Sequence, residues 1–256
     1  MKPRGVVVGI HGFADHGAWY RHVGVHLASN GYSFWIYDLR GYGMTARRSG
    51  DEGYVEDFEE FVEDTDSFID FVVDEEGVDD VYVLGHGVGG LIAVYYAGYL
   101  GIKRVRGLIT SGAALLFKPS WRLAAAKVLA RIAPRSRVSL PVNPRDLSND
   151  PEIVRRYLED NLVVKRPTAK LLVEIVNAAN SVWSFVDRIS APSLVMHGSE
   201  DRVVPPEASM ALYRRLAARD KTLRLYRGMK HELLVGIDRA RVLNDVVKWL
   251  NKHSTT

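Results

Sequence analysis

Short apolar, β-branched runs alternate with longer patterns of helical period along most of the chain. The runs predict strands at Val6–Ile10, Tyr32–Asp38, Val81–Gly85, Gly107–Ser111, Ser193–His197 and Thr222–Tyr226. Several are apolar at every position instead of alternating, the mark of strands covered by helices on both sides. Helical patterns fall between them at Ala18–Asn30, Val55–Asp74, Gly89–Leu100, Pro206–Ala217 and Arg239–Lys252. In the second, Phe58, Phe61, Val62, Thr65, Phe68, Ile69 and Val72 recur at three- and four-residue spacing, with acids opposite. Such alternation predicts an α/β fold, a mostly parallel, doubly wound sheet of about six strands.

The pattern breaks between the fourth and fifth strands, for roughly 80 residues, too long for a structureless loop. Helical stretches at Trp121–Ala133, Glu152–Asn161 and Thr168–Asn180, punctuated by Pro134, Pro141, Pro144 and Pro151, predict a helical insertion. The expected division is a core of residues 1–112 and 190–256 with a cap of residues 113–189 laid over the sheet.

Composition narrows the function classes. Hydrophobic residues make up 47% and charged residues 25%, as in ordinary globular proteins. A net charge of only +3 gives no electrostatic case for nucleic acid. The absence of cysteine excludes disulfides and thiolate metal sites. The early apolar run Val6–Ile10 is too short for a signal segment or a membrane span, so a soluble cytoplasmic protein is expected.

The stretch "VLGHGVGG" has two readings. Gly85, Gly87 and Gly90 fit the G-x-G-x-x-G turn of dinucleotide-binding folds. That turn should follow the first strand and be followed, about 20 residues on, by an acid ending the next strand. Here it follows the third strand, and the next one ends in Thr110, Ser111 and Gly112. The same residues fit the nucleophile elbow G-x-S-x-G, with Gly87 where serine is expected. An elbow demands a later acid and histidine in that order, plus an oxyanion donor after an earlier strand. "MHGSEDRVVP" supplies Asp201, "YRGMKHELL" supplies His231, and "GIHGFADHG" places Phe13 at the donor position.

These motifs, with "YDLRGYGMT" and the helix "DFEEFVEDTDSFID", resemble the monoacylglycerol lipase and lysophospholipase branch of the α/β-hydrolase family. The resemblance runs nearly end to end and is weakest in the cap. It implies a carboxylic-ester hydrolase of Ser-His-Asp type without a cofactor. Gly87 would occupy the nucleophile position, His231 would be the base, Asp201 its orienting acid, and the N–H groups of Phe13 and Val88 the oxyanion donors. The family usually carries two strands before this start, so the sheet should lack them and leave Tyr32–Asp38, with Phe34 and Ile36, as an open edge through which a homodimer could form.

Further expectations are looser. Asp15 and His16 are candidates for contacts to a glycerol-like leaving group. The helix bearing Trp121, Arg122, Lys127 and Arg131 is either a lid that receives an acyl chain and touches lipid surfaces or an ordinary solvated helix. His22 and His26 stand four apart with no acid to complete a metal site, and no metal is expected. Glycine accepts elbow backbone angles freely but offers no nucleophile. Three accounts of Gly87 stay open: a deliberate replacement of serine that traps substrate, which the intact acid, base and donor turn favour; a natural non-catalytic binder of lipid or another small molecule; and an enzyme that uses water directly.

Overall fold

In the computed structural model, which describes residues 2–13, 15–100, 104–139 and 142–254, the apolar runs pair into one sheet. Its strands are β1 (Val6–Ile10), β2 (Ser33–Ile36), β3 (Val81–His86), β4 (Val105–Ser111), β5 (Ser193–Gly198) and β6 (Lys221–Tyr226). They lie in the order β2-β1-β3-β4-β5-β6, and every pairing is parallel. The chain leaves β1 toward one edge and returns as β3 on the other side of β1. The connections leaving the C-terminal ends of β1 and β3 therefore diverge and open a crevice, the place where open α/β sheets bind ligands.

Side-chain alternation divides the core in two. Val6, Val8 and Ile10 of β1 join one cluster with α3 (Glu59–Glu76), α4 (Val88–Tyr99) and α8 (Glu207–Arg215). Val7 faces the opposite way and joins α1 (Arg21–Ala28) and α9 (Arg239–His253). The spaced apolar residues Phe61, Val62, Ile69 and Val72 of α3 are all buried. By contrast α4 is buried from Val88 to Gly98, which explains its apolar composition on every side.

Two local departures from the expected pattern have clear causes. The seven-residue helix α2 (Gly43–Ser49) is too short and polar to show a period. A carboxylate organises its start, since Asp38 accepts the N–H groups of Met44 at 2.7 Å and Gly17 at 2.8 Å. That same role takes Asp38 out of the strand, so β2 spans four residues instead of the expected seven. β2 forms a sheet edge, with Phe34 and Ile36 packed against the α1/α9 cluster.

Between β4 and β5 lie α5 (Trp121–Ile132), α6 (Pro151–Glu159) and α7 (Ala169–Ser181). Each starts where a side chain accepts a backbone N–H: Ser120, Asp150 and Thr168. Leu171, Ile175, Ala178 and Ala179 of α7 belong to the same cluster as α4, so this segment shares its core with the sheet. The hydroxyl and N–H of Thr168 both donate to the Gly53 carbonyl, at 2.8 and 2.9 Å. No helix among the described residues is long and apolar enough to cross a membrane.

Candidate active site

The sharpest turn in the crevice joins β3 to α4 through Gly87, whose φ of +54° lies where a residue with a Cβ is strained. The turn is packed against the end of β1. A Cβ on Gly89 would stand 2.2 Å from the Ile10 carbonyl oxygen, so glycine is required there by close approach. The glycine richness that matched a dinucleotide fingerprint thus serves the crossing of strand, turn and helix.

Asp201 and His231 converge on this turn from the loops after β5 and β6. The Oδ1 atom of Asp201 accepts the N–H groups of Val203 and Val204 at 2.8 and 2.9 Å. Its Oδ2 accepts the Nδ1–H of His231 at 2.7 Å. Burial pushes the Asp201 carboxyl up, but the nearby His231 charge and the bonds from His197, His231 and Val204 outweigh it and hold the group well below the usual carboxylate range. With Nδ1 committed, Nε2 of His231 points at the turn, 3.3 Å from where a Cβ on Gly87 would be. An oriented imidazole therefore presents its basic nitrogen to a small space floored by glycine.

Other side chains brace this pair. His197 is fully buried, its Nε2 near both the Val204 carbonyl (3.0 Å) and Asp201 Oδ2 (3.1 Å). Two acceptors there fix the proton on Nε2, leaving Nδ1 toward the Ser209 hydroxyl at 2.7 Å. His86 lies beneath His231, ring centroids 4.7 Å apart, with its Nε2 3.2 Å from Glu232 Oε2. Burial disfavours the His86 imidazolium, yet the charge of Glu232, followed by Asp15 and Asp201, pushes its pKa up to about 9.

His86, His231 and Glu232 offer three ligand atoms within 4.8 Å of one another. A tetrahedral zinc shell with bonds near 2.05 Å sets its ligands about 3.4 Å apart. His86 Nε2 and Glu232 Oε2 approach to 3.2 Å as an ion pair without a well-aligned hydrogen bond, and His231 spends its Nδ1 on Asp201 while its Nε2 faces the elbow.

Above Gly87 a cavity of about 880 Å³ runs beneath α5 and α7, lined by Phe13, Val88, Leu116, Leu129, Leu172 and Val176 among others. Phe13 sits in the turn after β1, its ring edge-on to Tyr42 at 5.7 Å. Val88 opens α4, so its N–H has no carbonyl four residues back within the helix. Trp121 lies at the mouth, 76% exposed.

Asp15 and His16, expected to face a leaving group, do not line this cavity. Asp15 is buried, with His11 Nδ1 at 3.1 Å and the Tyr20 hydroxyl donating at 2.7 Å. His11 accepts the Leu39 N–H at 2.9 Å on its other nitrogen, so its Nδ1 carries the proton, shared between the Gly12 carbonyl at 2.8 Å and Asp15. His16 Nε2 reaches Asp160 at 3.0 Å, and Trp19 donates to the same oxygen at 2.9 Å. Both residues are consumed in shaping the turn that carries Phe13 and in tying it to the end of α6. Glu232, His197, Ser209 and Asp160 escaped the sequence reading. Only Glu232 left a signal, as an acid next to His231.

A family model described as serine aminopeptidase, S33, matches residues 1–238. The monoacylglycerol lipase of Mycolicibacterium smegmatis is 33% identical over 260 aligned positions, covering 98% of this chain and 89% of that protein. Among solved structures, the monoacylglycerol lipase of Paleococcus ferrophilus superposes with a TM-score of 0.87 at 32% identity, covering 99% of this chain and 96% of that one. A soluble variant of Saccharomyces cerevisiae monoglyceride lipase, in complex with a substrate analog, gives a TM-score of 0.89 at 25% identity, covering 100% and 88%. With its six-stranded parallel sheet and end-to-end matches, the chain belongs to the serine aminopeptidase S33 family of α/β-hydrolases, in its monoacylglycerol-lipase-like branch.

Proposed function

We propose that the crevice is a carboxylic-ester site for a monoacylglycerol or similar single-chain lipid ester, with Gly87 at the nucleophile position. The observation that carries this reading is the Asp201–His231 pair at 2.7 Å, aimed at the elbow with Nε2 3.3 Å from the Gly87 Cβ position. His231 is the base and Asp201 its orienting acid. The N–H groups of Phe13 and Val88 receive the developing oxyanion. The apolar cavity takes the acyl chain, and residues 113–189 act as the cap that closes over it, with Trp121 at its entrance. The names of the relatives, monoacylglycerol and monoglyceride lipases, support the substrate class.

Without a nucleophile the chain cannot form an acyl-enzyme, so covalent turnover is lost while the binding site is kept. Removing the nucleophilic serine costs about 10⁶ in kcat in a well-studied protease of another fold. Gly87→Ser is therefore expected to raise hydrolysis of short p-nitrophenyl esters and monoacylglycerol by roughly 10³-fold or more. A folded Gly87→Ser variant no more active than the parent refutes the ester-site reading. If the parent then still binds a monoacylglycerol ether tightly, a binding protein is the correct description.

A further inference from the structure

We propose that His86, His231 and Glu232 form a binding site for a divalent first-row transition metal, zinc above all. Two imidazole nitrogens and one carboxylate oxygen are a donor set of three-ligand zinc centres. No motif of metal-binding spacing announced it, because His86 ends β3 while His231 and Glu232 follow β6. A metal there withdraws the Nε2 of His231, so the metal-bound form has no base; that consequence alone rests on the ester-site reading.

The donors are oriented as ligands. Nδ1 of His86 lies 3.0 Å from the Ser111 carbonyl, which can only accept, so Nδ1 carries a proton and Nε2 is the nitrogen open to a cation. His231 gives its Nδ1–H to Asp201 Oδ2 at 2.7 Å, and Nε2 is again the open nitrogen. A carbonyl or carboxylate behind the far nitrogen is the arrangement that fixes the tautomer of metal-bound histidines. Both imidazoles have it here.

Burial and spacing point to a cation independently. His86 is 1% and Glu232 8% exposed, yet His86 Nε2 and Glu232 Oε2, 3.2 Å apart, make no aligned hydrogen bond to each other or to any other described group. Buried polar atoms in that condition call for an explanation. Their spacing is close to the ~3.4 Å edge of a tetrahedral zinc shell, as befits atoms that converge on a third point. With all three donor atoms within 4.8 Å of one another, no edge needs to close by more than about 1.4 Å. Glu232, Asp15 and Asp201 surround His86 with negative charge that a dication offsets. All three ligands line the cavity above Gly87, which gives an ion a way in. Without a metal, His86 and Glu232 remain as an ion pair. His22, by contrast, spends its Nε2 on the Leu234 carbonyl at 2.7 Å, so the His22–His26 pair serves as a control.

The test titrates chelator-treated parent protein with Zn²⁺ by calorimetry and with Co²⁺ by visible absorption. Saturable binding of a single ion per chain is expected, with the intense visible bands of four-coordinate Co²⁺, displaced by Zn²⁺. His86→Gln and Glu232→Gln, each checked for folding by circular dichroism, should abolish it. Asp201→Asn removes the charge behind His231 and should weaken binding about 10- to 100-fold. His26→Gln should leave it unchanged. No saturable binding, an octahedral Co²⁺ spectrum, or binding that survives in His86→Gln or Glu232→Gln overturns the proposal. Should neither of those variants fold, His231→Gln at the cavity wall decides on the same terms. Zn²⁺ should also inhibit Gly87→Ser over the range that saturates the parent, and EDTA should restore activity. An active Gly87→Ser indifferent to Zn²⁺ overturns His231 as a ligand, and the proposal with it. A Gly87→Ser variant inert with and without EDTA fails the ester-site reading instead, and the titrations of the parent then decide the metal site by themselves.

Discussion

Gly87 and Gly89 stand two residues apart and answer to different constraints. At Gly87 the backbone is left-handed, and a side chain there costs about 1–3 kcal/mol of strain that the fold must absorb. Its nearest neighbour across the turn is His231 Nε2 at 3.3 Å from an added Cβ, a side-chain atom that must give by a few tenths of an ångström for a serine or alanine to fit. At Gly89 the obstacle is the Ile10 carbonyl oxygen, 2.2 Å from an added Cβ. Gly89→Ala must push β1 away from α4 and should cost about 3 kcal/mol, the upper range for overpacking. For a chain of this size the melting temperature should then fall by roughly 6–12 °C. A thermal melt within ~1 °C of the parent contradicts this account of the elbow. The two glycines look alike in sequence, and only the neighbouring strand tells them apart.

At the scale of elements, the ends of β3 and β6 are held together by a buried pair, His86 with Glu232. The acids facing His86 are Glu232, Asp15 and Asp201, its Nδ1 lies against the Ser111 carbonyl and hydroxyl, and the His231 ring sits beside it, tilted by 48°. The folded pKa of about 9 lies above the unfolded value near 6.5, so proton binding favours the folded state. That stabilisation is complete below about pH 6.5 and is lost as the pH rises through about 9. The melting temperature should decline over this window. Glu232→Gln should lower it most at the acidic end and flatten the slope, and an unchanged slope in that variant refutes the pairing. The strands themselves were legible because four of the six, β1, β3, β4 and β5, are largely or wholly buried, and continuous apolar runs survive in sequence. The extent of β2 and the existence of α2 were not, because one carboxylate, Asp38, ends the first and organises the second through tertiary contacts.

For the whole molecule, the helices between β4 and β5 are tied down at their far end by Asp160, which accepts from Trp19 and pairs with His16. Burial raises the Asp160 carboxyl, but the bonds from Trp19 and His16 dominate and bring it down to about 2. Asp160→Ala leaves both partners unsatisfied and should cost about 1–3 kcal/mol. Hydrogen exchange should accelerate in α6 and the turn around His16 while β3 and β4 stay protected. Uniform acceleration, or none, contradicts the tie. Asp201 and His231 were legible across 30 residues because each follows a strand of the same parallel sheet, which brings strand ends to one edge. Asp160 meets His16 across 144 residues and belongs to no strand, so no local pattern announces it. For the same reason Asp15 and His16 could be read as substrate contacts until their partners were known.

On the proposed reading, an ester-hydrolysing arrangement of Asp201, His231 and the oxyanion donors surrounds a position without a nucleophile. Treating Gly87→Ser with a fluorophosphonate and measuring intact and peptide mass tests it most directly. The account predicts stoichiometric labelling at position 87, reduced by orders of magnitude when His231→Gln is added. A folded Gly87→Ser variant that stays unlabelled, or is labelled equally without His231, would contradict it.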